Sequence, residues 1–165
     1  MQKMGAPDAT VSLALVAPDM APNVGAVLRL GACMGIDVHV VEPCGFPFSP
    51  RAWARQAMDY AEHVTVHHHS GWSAFVDQVG ARGRLIGLSA RANTSLFDMA
   101  FRSGDCLLLG AETSGLPDHA VAAAHAMVAV PMRPPARSLN VAQAAAIATA
   151  EVLRQLDLLP AAGGG

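Results

Sequence analysis

At 165 residues, 52% of them apolar and with a formal net charge of −2, the chain suits one domain with its own core, and its charge argues against a nonspecific nucleic-acid binder. No apolar run approaches the roughly 18–20 residues that span a bilayer, and the opening MQKMGAPDAT lacks an apolar signal core, so a soluble, cytoplasmic protein is expected. Cys33, Cys44 and Cys106 contain no C-x-x-C pair, so neither a zinc knuckle nor a disulfide framework is indicated; Cys33 and Cys106, in apolar runs, read as core residues.

Residues 1–10 read as an extension before a domain over 11–159. The continuous apolar run 11–17 predicts a strand. Residues 24–34 have helical spacing, with Val24, Val27, Leu28 and Gly31 on one side and Arg29 turned elsewhere. Residues 38–41 predict a second strand, stopped by Glu42-Pro43. A loop rich in turn formers follows to residue 50, then a short helix carrying Arg51 and Arg55. Further strands are expected over 63–66, 85–88, 106–109 and 127–130, with a helix around 72–79. Apolar strands separated by helices imply an α/β domain with a mainly parallel sheet covered on both faces. The longest helical stretch runs from 139 to 159, and its first half has almost no polar face. Such a helix is packed on every side, so a homodimer is expected. Residues 160–165 read as a disordered tail.

Three predicted strands end in loops of unusual composition, at the strand ends where open α/β sheets bind ligands. The first loop carries Asn23 just before its helix, with Arg29 six residues later; Asn23 alone reads as a helix cap. The second, Gly110-Ala111-Glu112-Thr113-Ser114-Gly115-Leu116-Pro117, has two glycines that permit close backbone approach and an acid, Glu112, at a strand mouth. The third runs from Pro131 to Asn140 and contains Arg133, Arg137, Ser138 and Leu139; Ser138 also suits a helix cap. A Rossmann dinucleotide site remains an alternative, since Glu42 ends the second strand, but the first turn lacks G-x-G-x-x-G. The tract His67-His68-His69 reads as a solvated strand end, because neighbours on a strand point to opposite faces and cannot share one ion; no metal is expected.

Read together, Asn23-Val24-Gly25-Ala26-Val27-Leu28-Arg29-Leu30, the Gly110–Pro117 loop, and Val130-Pro131-Met132 with Arg137-Ser138-Leu139-Asn140-Val141 resemble the three motifs of the TrmH/TrmL branch of SPOUT methyltransferases. Ile36 to Phe46 and Arg55-Gln56-Ala57-Met58-Asp59-Tyr60 are similar to segments of its small tRNA (cytidine/uridine-34-2′-O)-methyltransferases. The chain departs from many members at Val141-Ala142-Gln143-Ala144 and at Ser114, where an Arg is common.

The resemblance implies a single-domain SPOUT fold with a C-terminal trefoil knot. It also implies 2′-O-methylation of tRNA, with S-adenosyl-L-methionine as donor and S-adenosyl-L-homocysteine as product. Another RNA site for the methyl group stays open beside the wobble nucleotide. Carried over, Leu88, Gly110, Val130, Ser138 and Leu139 hold the donor, while Asn23, Ser138 and Asn140 orient donor and ribose hydroxyl. Glu112 holds either Arg29 or a loop amide. A guanidinium keeps its proton in proteins, so Arg29 is expected as a phosphate clamp. Ten of the eleven basic residues are Arg, the side chain that grips phosphate with a planar fork. Arg51, Arg55, Arg133 and Arg137 are candidate RNA contacts, and Tyr60 a candidate platform for an unpaired base.

Overall fold

The computed structural model describes residues 11–47, 49, 51, 55 and 58–163. Its strands are β1 (Val11–Val16), β2 (Asp37–Val41), β3 (Val66–His69), β4 (Leu85–Leu88), β5 (Thr94–Ser95), β6 (Asp105–Leu109) and β7 (Ala126–Ala129). The helices are α1 (Ala21–Met34), α2 (Trp72–Phe75, continued by a wider turn over Val76–Gly80), α3 (Asp118–Ala123) and α4 (Val141–Gln155). One sheet runs β3-β2-β1-β6-β4-β7-β5, and every pairing in it is parallel.

The continuous apolar runs follow from burial on both faces. Along β1, Leu13 and Leu15 face a core closed by Val24, Val27 and Leu28 of α1 and Ala145, Ala148 and Val152 of α4. The intervening Ala14 and Val16 face a second core with Phe75 of α2 and Ala120 of α3. In β6, Leu107 and Leu109 join the first core, Cys106 and Leu108 the second, as the two-residue period of a strand requires. Parallel strands all end at one edge, so the loops after β1, β4, β6 and β7 share a rim.

Several expectations change. The predicted strand over 63–66 is instead the end of a 3-10 turn, Met58–His63, and pairing with β2 places the strand at Val66–His69. His69 is therefore buried, against the solvated strand end expected: it joins His39 under Phe75. Cys33 is exposed, because the helical phase that buries Val24, Val27, Leu28 and Gly31 turns it outward. β5 and α3, two and six residues long, had no sequence signal. Arg51 and Arg55 are exposed with helical backbone; the rest of their predicted helix, the extension 1–10 and the end of the tail lie outside the described residues.

Candidate active site

The rim above β1 and β6 is organised by α1 and α4 starting side by side. Helix α1 begins at Ala21, with Met20 at its cap and Pro22 in the first turn, where a missing N–H costs nothing. Asn23 consequently lies inside the helix and is not its cap. Asn140, not Ser138, caps α4: its Oδ1 accepts from the amides of Ala142 (2.8 Å) and Gln143 (3.3 Å).

The other end of the same side chain joins the loops. Asn140 Nδ2 donates to Asn23 Oδ1 at 3.1 Å and to Glu112 Oε1 at 2.9 Å. Glu112 Oε1 also lies 3.5 Å from the Val141 amide. Glu112 thus bonds chiefly the Asn140 side chain, neither of the two partners expected for it, with the Val141 amide at the limit of hydrogen bonding. The β6 loop that carries Glu112 is closed by reciprocal bonds between Ala111 and Gly115. It folds so tightly over Gly110 that a Cβ there would come within 2.1 Å of the Gly115 carbonyl carbon. Only glycine fits that close approach.

Asp19, from the loop after β1, accepts from the Glu112 amide at 3.1 Å and from the Thr113 hydroxyl at 2.5 Å. The Thr113 bond is the chief reason its carboxyl titrates below the usual range. Asp19, Asn23, Gly110, Glu112 and Val141 line one cleft, floored by Leu15. Neither Asp19 nor Thr113 stood out in the sequence, since their partnership spans 94 positions and follows no spacing rule.

The remaining candidates surround this cluster. Leu88 ends β4, while Gly110 and Val130 each stand one residue past β6 and β7. Because β6, β4 and β7 are consecutive in the sheet, these three positions form a row along the rim. Ser138 and Leu139 are exposed just before α4, as are Arg133 and Arg137 in the loop preceding it. Arg29 stands apart from the Asn23–Asn140–Glu112 chain, its guanidinium carbon 4.7 Å from the centre of the half-buried Tyr60 ring. Tyr60, expected as a base platform, thus offers a ring face to Arg29.

Glu42, the acid of the Rossmann alternative, is occupied within its own loop: its carboxylate accepts from the Cys44 amide and bonds His68. Among the described residues no cluster suited to a metal ion is present, and no helix is long and apolar enough to cross a membrane.

The geometry has close relatives. A protein of Beijerinckia indica described as a tRNA (cytidine(34)-2′-O)-methyltransferase is 45% identical over 148 residues, which are 89% of this chain and 92% of that protein. One with the same description from Ancylobacter novellus is 38% identical over 94% of this chain and 99% of its own. A structure described as giving insights into 2-OH methylation of C/U34 on tRNA superposes with a TM-score of 0.82 at 37% identity, covering 89% of this chain and 96% of that one. The methyltransferase AviRb of Streptomyces viridochromogenes, solved with AdoMet, shares the fold with a TM-score of 0.83 at 23% identity, over 93% of this chain and 63% of its own. With a family match running unbroken over residues 10–150, a stretch that takes in all three rim loops, the chain belongs to the SpoU rRNA Methylase family.

Proposed function

We propose that this chain transfers a methyl group from S-adenosylmethionine to the 2′-oxygen of nucleotide 34 in tRNA. The observation that carries the proposal is the bonded chain Asn23–Asn140–Glu112. It ties the three motif loops together at the mouth of a cleft, in a protein matching tRNA (cytidine(34)-2′-O)-methyltransferases over nearly their whole length.

S-adenosylmethionine supplies a methyl group already activated toward a nucleophile. The residues expected to hold it fit the task. On this reading Gly110 and Val130, which lie beyond the last ladder pairs of their strands, Leu109 with Leu15 and Ala129 with Ser95, offer their peptide groups to an adenine edge. Leu88 and Leu139 add apolar contact, and Ser138 a hydroxyl. With the donor held in the rim, Asn23, its Oδ1 fixed by Asn140 Nδ2, places the ribose hydroxyl against it through its own NH2 group, and Glu112 fixes the Asn140 amide. Placement of this kind can account for most of a rate enhancement. Arg29, displayed on the Tyr60 ring, clamps a phosphate beside the target ribose, and exposed Arg51, Arg55, Arg133 and Arg137 extend the grip along the backbone.

A homodimer belongs to the same proposal. Helices α1 and α4 pack together, and their outer sides expose Ala26, Cys33, Ala146, Ile147 and Ala150, small and apolar enough to close against a second copy; sedimentation equilibrium checks this. The C-terminal trefoil knot is also part of it, supported by the return of the chain from β7 to Asn140 beside the β6 loop. A tRNA substrate puts the protein in the cytoplasm.

The test is transfer of labelled methyl from S-adenosylmethionine to undermodified total tRNA, followed by nucleoside analysis, with Arg29→Ala run in parallel. A 2′-O-methylated pyrimidine mapping to position 34, lost in the variant, is expected. Label at another ribose would move the target; no label in any tRNA would refute the proposal.

A further inference from the structure

Asp19 belongs to no motif, yet it joins two of the loops that carry them. One carboxylate oxygen receives the Glu112 amide and the other the Thr113 hydroxyl. The backbone beside it is pinned from a third direction: the Gly45 amide donates to Pro18 O at 2.8 Å. Gly45 lies so close that a Cβ on it would stand 2.9 Å from Asp19 Cα. The Asp19 carboxylate therefore has little freedom, and through two bonds it sets the position of the residue next in line. That residue is Glu112, whose own carboxylate holds Asn140.

We propose that Asp19 is a positioning residue for methyl transfer, fixing the β6 loop so that Glu112 meets Asn140 and Asn140 meets Asn23. This deepens the methyltransferase reading and rests on it. Asp19 touches neither donor nor ribose in this scheme. Its role is to hold the base of a three-link chain, so removing it loosens the aim of Asn140 while the strand ends that hold the donor stay in place. A displacement of about 1 Å at reacting groups costs on the order of 10²-fold in rate.

Single-turnover methyl transfer to tRNA, donor affinity by calorimetry and thermal unfolding separate this role from a purely structural tie. Asp19→Ala should lower the turnover rate about 10- to 100-fold, with donor dissociation changed by less than about threefold. Asp19→Asn should restore most of the rate, because its oxygen can accept the Glu112 amide while its NH2 group donates to the Thr113 hydroxyl. Thr113→Val removes one of the two bonds and should give an intermediate loss. Since both changes break one unit, the double variant Asp19→Ala/Thr113→Val should be no slower than Asp19→Ala alone. Wild-type turnover in Asp19→Ala overturns the proposal, as does a loss of donor affinity and unfolding temperature in step with turnover. Should Asp19→Ala not fold, Thr113→Val decides, and full activity there overturns the proposal. A wild-type protein that methylates no tRNA fails earlier, at the reaction itself, and takes the proposal with it; an active wild type beside an active Asp19→Ala refutes only the role of Asp19.

Discussion

Asn140 carries two jobs on one amide, and they can be separated. Its oxygen caps α4, and its nitrogen links Asn23 to Glu112. Asn140→Ala loses both. Loss of a cap acceptor costs about 1 kcal/mol, and the freed polar groups rehydrate because Asn140, Glu112 and their bonds are exposed. For a chain of this size that is a fall of about 2–4 °C in unfolding temperature. Asn140→Ser keeps an oxygen suited to the cap, so it should unfold within about 1 °C of wild type. The serine hydroxyl is too short and has too few protons to donate to Asn23 and Glu112 at once. If the nitrogen carries the function, Asn140→Ser should therefore transfer methyl as slowly as Asn140→Ala, on the order of 10²-fold below wild type. The assay is single-turnover methyl transfer to undermodified tRNA at saturating donor, with thermal unfolding on the same preparations. Retention of near-wild-type turnover in Asn140→Ser would refute the reasoning, since the cap alone would then explain why an Asn stands there.

Acid should destabilise the fold through His39. Burial, reinforced by His67 and His69, lowers its pKa to about 3, so below the unfolded value of 6.5 the unfolded chain binds a proton that the folded one refuses. Stability is retained above that value and falls as pH drops through the window toward about 3, by roughly 2 kcal/mol between about pH 7 and pH 5. His69, lowered chiefly by burial, adds in the same direction. Urea midpoints should fall with pH less steeply in His39→Leu, and parallel slopes would contradict this. In the proposed RNA site, Tyr60→Leu should raise the KM for tRNA about two- to fivefold with kcat kept, the equivalent of an exposed cation–π contact. Tyr60→Phe should match wild type; an equal effect in both would assign the role to the hydroxyl instead of the ring under Arg29.

What the sequence disclosed was set by how local each feature is. Leu13 and Leu15 alternate with Ala14 and Val16 within one short segment, and the doubly buried strand can be read from that run. The motif loops were legible because Gly110 with Gly115, or Ser138 with Asn140, hold fixed spacings. Asp19 was not, as its partners Glu112 and Thr113 are 93 and 94 positions away. The histidines mislead for the same reason. Alternation along the tract correctly separates His68 from its neighbours, but only the parallel register that sets His39 opposite His67 shows that this side is covered by Phe75 and that His69 is sealed in. Asn23 and Ser138 were each suited to a cap by residue type. The actual cap was decided by Pro22, which fits inside the first turn of α1, and by the later start of α4.

Both carboxylates in the cleft are already engaged. Asp19 is taken by an amide and a hydroxyl, Glu112 by the Asn140 amide and, at longer range, the Val141 amide. Both Asp19 oxygens are held, which makes that carboxylate a fixed anchor, whereas both bonds to Glu112 run to its Oε1. Arg29, the cation nearest in sequence to Asn23, lies over a ring and not against either acid, so its charge stays available for phosphate. Under the proposed function the acids hold the Glu112, Val141 and Asn140 amides, Asn23 orients the ribose, and Arg29 grips the RNA backbone. On this reading the chain contributes to the reaction by placement.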